Sequence, residues 1–135
     1  MDDVVVNKAA IIERCVARVR AEYGDDDRNL TENITRQDSI VLNLQRACEA
    51  AIDLAMHVVR KKRLGVPQET RDAFRLLQED GVLSPELSQR LMRMVGFRNV
   101  AIHDYRRLNL DVVRSIVTTH LTDFLALTRV FLKDI

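Results

Sequence analysis

Arg98, His103 and Tyr105 are the residues whose types and spacing could do chemistry. A guanidinium can hold two phosphate oxygens at once and stays charged throughout a reaction. Histidine is the side-chain type whose ordinary pKa suits proton transfer near neutral pH. Together they supply what work at a phosphate needs: fixed positive charge where negative charge develops, and a group that moves a proton. Tyr105 adds a phenolic hydroxyl beside them. With this many arginines, an Arg five places before some His arises by chance in roughly one chain in three. Requiring Tyr two places after the His lowers that to under about one in a hundred. His57 and His120 have no arginine at the same spacing.

Other chemistries leave no trace. There is no glycine-rich phosphate loop, nucleophile elbow, His–Cys metal cluster or H-E-x-x-H pair. Cys15 and Cys48 are too few for a disulfide framework and lack metal-ligand spacing. Both fall on apolar helix faces, where a reduced cysteine acts as a small hydrophobe. No metal-binding or cofactor motif is read from the sequence. The formal net charge of +1 does not announce a nucleic-acid binder. Arginine far outnumbers lysine, however, and Arg90, Arg93, Arg106 and Arg107 could line a groove near the motif. Solvated helix faces explain each of them singly.

The elements that must position the motif read as helices. Length suits one domain, residues 1–135, with a real core. Nothing approaches a membrane span, and the acidic start Met1-Asp2-Asp3 is unlike a signal peptide, so a cytoplasmic location is expected. Five helices in an up-and-down, all-α bundle are expected. The first covers residues 4–22, with Gly24 as a left-handed C-cap. An acidic loop over residues 25–33 is expected to be the most mobile segment. Thr35 and Asp38 resemble a capping box opening the second helix, whose Val41, Leu44, Cys48, Ala51, Ala55 and Val58 form a near-heptad stripe. It ends at the basic run Arg60-Lys61-Lys62-Arg63, favourable to a helix C-terminus. A third spans residues 68–79 and stops at Gly81. Ser84-Pro85-Glu86 opens the fourth. Asn109 caps a fifth that runs to residue 133 and is apolar around enough of its surface to pack on its own bundle and on a second subunit. On the fourth, Leu91, Met94, Val95 and Ile102 share a face with Arg98 in its middle, an expensive place for a guanidinium that is neither paired nor lining a cleft. In an unbroken helix Arg98 and His103 point well apart. The helix must end near residue 102, or the two must meet in a cleft completed by something else.

Arg98, His103 and Tyr105 reproduce the R-x4-H-x-Y motif of HepT-like HEPN proteins. The flanks resemble that family too, with Gly96-Phe97-Arg98-Asn99 before and Leu108-Asn109 after. The segment Asp38-Ser39-Ile40-Val41-Leu42-Asn43-Leu44-Gln45-Arg46 resembles the family's second helix, and Leu64-Gly65-Val66-Pro67 its following turn. The resemblance implies a HEPN-fold homodimer acting as a prokaryotic ribonuclease toxin that cleaves RNA without metal. It further implies a minimal nucleotidyltransferase (MNT) antitoxin that transfers AMP onto the motif tyrosine, here Tyr105. Arg98 and His103 would be catalytic, leaving a 2',3'-cyclic phosphate and a 5'-hydroxyl. One chain offers a single such histidine, and a two-fold dimer would bring two motifs into one cleft. Among the polar residues of the second helix, Asp38, Asn43 and Glu49 are candidates to orient the motif, with periodicity unable to choose between them. The main alternative is a helical partner that docks onto a nucleotidyltransferase without cutting RNA. A blander one is a dimer whose Arg98 makes a structural ion pair.

Overall fold

The computed structural model describes residues 2–133. Among these, every regular element is helical: α1 (Asp3–Tyr23), α2 (Arg28–Thr31), α3 (Ile34–Lys62), α4 (Thr70–Glu79), α5 (Pro85–His103), α6 (Leu110–Ser115) and α7 (Leu121–Lys133), with a 3-10 turn at Tyr105–Arg107 and a π-helical turn at Ile116–His120. The expected all-α bundle is what forms. Its spine is α3, about 43 Å long at 1.5 Å per residue. Alongside it lie α1 on one side and the α4–α5 hairpin on another, while α7 closes the bundle against α1 and α5. The stripe Val41, Leu44, Cys48, Ala51, Ala55 and Val58 is buried along with Ile12, Leu54, Phe74, Leu91, Phe124 and Phe131. Both cysteines lie in this core as free thiols.

Local chemistry explains the boundaries. Asp2 caps α1 by accepting from the Val4 and Val5 N–H groups, and Gly24 ends it at φ 55°. Ser84 accepts from the Leu87 N–H with Pro85 in the first turn. Asn109 accepts from the Asp111 N–H.

Three expectations are corrected. Residues 25–33 are not a loose loop: α2 folds there and inserts Leu30, 0% exposed, into the core. Arg114 grips Asp27 through Nε and Nη2 at 2.7 and 2.9 Å, and Tyr23 donates to the same carboxylate. The start of α3 is capped by Asn33, which accepts from the Arg36 N–H at 3.0 Å, and not by a box of Thr35 and Asp38. The cap sits earlier because Asn33 has the extended backbone that a cap requires. Helix α4 begins at Thr70, two residues later than expected, because Asp72 reaches back to the Gln68 and Glu69 N–H groups. The C-terminal helix runs as expected from the Asn109 cap to Lys133, with a π turn at Ile116–His120 inside it that shifts its register.

Candidate active site

Helix α5 carries the motif. Leu91, Met94 and Val95 are buried as expected. Gly96 lets Arg71 of α4 lie across the helix, since a Cβ there would meet Arg71 Nη2 at 3.0 Å. Arg98 is half-buried on the flank facing α3, where its charge is felt by Cys48. Its Nε is enclosed and has no hydrogen-bond partner among the described residues. A buried donor left unpaired costs about 1–3 kcal/mol. Ile102, expected on the same buried face, is 40% exposed. It sits in the last turn of α5, beyond the core residues that cover the earlier ones.

His103 is the last residue of α5 and is exposed. The helix therefore ends where expected, near residue 102, with Arg98 and His103 inside it and Tyr105 beyond it. Five residues at about 100° each turn Arg98 and His103 roughly 140° apart. Within one chain they do not converge. Asp104 ends the helix with φ −152° and ψ 62°, and its carboxylate pairs with Arg107 Nε at 3.1 Å. This break swings the chain into the 3-10 turn carrying Tyr105, Arg106 and Arg107.

Tyr105 is 44% exposed, and its hydroxyl donates to Asp38 Oδ1 at 2.7 Å. Burial, then the hydrogen bond and charge of Asp38, push the phenol up to about 12. Asp38 is thus the second-helix residue brought to the motif. Asn43 donates instead to the Ser39 carbonyl on its own helix, and Glu49 accepts from Gln45 Nε2. Both line a groove between α1 and α3 with Lys8, Arg14, Arg46 and Asp53. Burial also pushes the Cys48 thiol up to about 12, which leaves it no nucleophilic part in the site.

Sequence reasoning missed a second polar cluster. Arg90 Nε and His120 Nδ1 both meet the carboxylate of Asp123 at 3.0 Å, and Asp123 is 6% exposed. Arg90 and His120 edge a cleft of about 310 Å³ with Arg93, Met94 and Phe97. The i, i+3 pair of His120 and Asp123 was visible in the sequence. Its link to Arg90 was not, because the π turn resets the face that α7 presents.

Residues 12–131 match the model of the HepT-like ribonuclease family. The chain belongs to this family. The HepT-like chain is 48% identical over 124 residues to the mRNA nuclease HepT of Shewanella oneidensis, spanning 92% of both proteins. A shorter stretch of 62 residues is 34% identical to the tRNA nuclease HepT of Aphanizomenon flos-aquae. A solved structure of a tri-AMPylated HEPN toxin from Shewanella oneidensis in complex with MNT antitoxin superposes with a TM-score of 0.93 at 46% identity, covering 98% of this chain and 99% of that one. A toxin–antitoxin structure with AMP-PNP superposes equally well at 45% identity. The HepT-like fold and the ribonuclease class of this chain follow from these likenesses.

Proposed function

We propose that this chain is a toxin that cuts RNA in the cytoplasm as a homodimer, without metal, with Arg98 and His103 as its catalytic residues. An MNT nucleotidyltransferase antitoxin neutralises it by transferring AMP to Tyr105. The enclosed Nε of Arg98, without a hydrogen-bond partner among the described residues, carries this reading, because a guanidinium held in so costly a place suits a side chain kept to bind phosphate. In the reaction the RNA 2'-oxygen attacks its own phosphorus as a base takes the hydroxyl proton. The bond to the 5'-oxygen breaks, and an acid protonates that leaving oxygen. Arg98 holds the two non-bridging oxygens while their charge grows. His103 performs one proton transfer.

The other transfer falls to the second motif of a dimer. Two features support this. Arg98 and His103 diverge within one chain, and exposed Leu42 and Ile102 flank the motif, four residues after Asp38 and Arg98 on their helices. A second copy covering them would bring both motifs to one cleft. AMP on Tyr105 adds bulk and negative charge where the RNA phosphate enters.

The test is an RNA cut by the protein in EDTA, compared with the same RNA carrying a 2'-deoxy sugar at the cut. Cleavage of the first to a 2',3'-cyclic phosphate, with the second left intact, is expected. Equal cutting of both would remove the 2'-oxygen mechanism. No cleavage of either by unmodified protein would turn the reading to the docking partner.

A further inference from the structure

Tyr105 and Asp38 are 67 residues apart in the chain, yet the phenol and the carboxylate meet at 2.7 Å. The contact is placed where both groups remain within reach of solvent, since each residue is exposed. Arg107 is held by Asp104, and Asp38 makes no ion pair among the described residues. Asp38 is therefore a carboxylate with one committed partner, the Tyr105 hydroxyl. The same hydroxyl makes no hydrogen bond to His103 among the described residues.

We propose that Asp38 is the proton acceptor for nucleotidylation of Tyr105. The inference rests on the reading of Tyr105 as the acceptor of AMP. The Tyr105 oxygen attacks the α-phosphorus of ATP, a new O–P bond forms, and the bond to the bridging oxygen breaks to release pyrophosphate. The phenolic proton passes to Asp38. Transfer becomes favourable as the O–P bond forms, because the phenolic oxygen grows more acidic as it gives electrons to phosphorus. A base is needed, because burial and Asp38 itself hold the free phenol protonated well above neutral pH. The chain thus carries part of the machinery of its own modification.

The consequence is built into the same bond. Once esterified, the Tyr105 oxygen has no proton to donate, and its new phosphate meets the Asp38 carboxylate. Like charges at hydrogen-bond distance repel, so the modified turn leaves α3.

The experiment incubates the chain with its MNT antitoxin and magnesium–ATP and follows addition of AMP by mass, from pH 6 to 9. Wild type, Asp38→Asn, Asp38→Glu and Tyr105→Phe are compared. Wild type is expected to react at a rate nearly independent of pH. Asp38→Asn should react about 10²-fold more slowly at neutral pH. Its rate should climb about tenfold per pH unit as phenolate replaces the missing base, which lost packing alone would not produce. Asp38→Glu should recover much of the rate, and Tyr105→Phe should stay unmodified. Asp38→Asn reacting at the wild-type rate with a flat profile would overturn the proposal and leave Tyr105 as the acceptor. Wild type that cuts RNA but gains no AMP, or gains it in Tyr105→Phe, would overturn the acceptor assignment and the proposal with it.

Discussion

Arg98 keeps its Nε inside the protein without a hydrogen-bond partner among the described residues, so the fold gains nothing from that donor there. Replacing it with a residue of similar shape and no donors should therefore leave stability unchanged or improve it. Arg98→Met is expected to melt at or above the wild-type temperature while losing RNA cleavage. A melting point several degrees lower would make Arg98 a structural ion-pair residue. Arg98→Lys keeps the charge but not the planar fork and should still lose about 10²-fold in rate. The core thiols belong to the same scale. Cys48 is 2% exposed with its pKa pushed up to about 12, and burial also raises Cys15. Neither should react with a thiol-directed disulfide reagent until the protein unfolds; prompt labelling of the native protein would contradict this burial. The motif itself was legible because three residue types at fixed spacing are rare together. The Asp38 contact was not, since periodicity within α3 cannot say which of its polar residues meets a turn far along the chain.

Helix α2 shows what periodicity does not register. A single turn of four residues holds no repeat, and Leu30 is the one apolar residue between Asp25 and Asn33. Its anchors, Arg114 on Asp27 and Gln37 Nε2 on the Leu30 carbonyl, come from other elements. Leu30→Ala should cost about 2–5 kcal/mol of unfolding free energy, as for any large core truncation. An effect below about 0.5 kcal/mol in denaturant titration would mean that this segment is as loose as its composition suggests. The caps at Gly24, Ser84 and Asn109 were legible because each is a local signal with a local partner. The π turn was hidden for the opposite reason. Its residues Ile116 and Val117 keep an ordinary apolar pattern, and only the packing of α6 and α7 on different neighbours reveals the reset.

Three carboxylates sit below the ordinary range: Asp2 and Asp27 tie separate elements together, and Asp72 holds the start of α4. Asp2 is lowered first by His57 and then by Lys61 of α3, Asp27 first by Arg114, and Asp72 first by the Glu69 N–H. A depressed pKa gives stability that is present above the unfolded value and is lost as pH falls through the folded one. The melting temperature should therefore hold level from pH 7 to about 5 and fall below about pH 4. Asp27→Asn should flatten that fall, and melting that rises on acidification would contradict it. The bundle class was legible because helix-period stripes and caps agreed along most of the chain. The face proposed for a second copy was not, since the exposed Leu42 and Ile102 resemble any scattered surface hydrophobes until the fold sets them beside the motif. Association should be seen by light scattering, and Ile102→Asp should weaken both it and RNA cleavage. The central claim is tested most directly by RNA cleavage in EDTA with wild type, Arg98→Ala and His103→Ala, each first shown by mass to carry no AMP. Cleavage by wild type with loss in both variants, all three equally folded, is the predicted result. Undiminished cutting by either variant would contradict the assignment of that residue, and by both would move the active site elsewhere on the molecule.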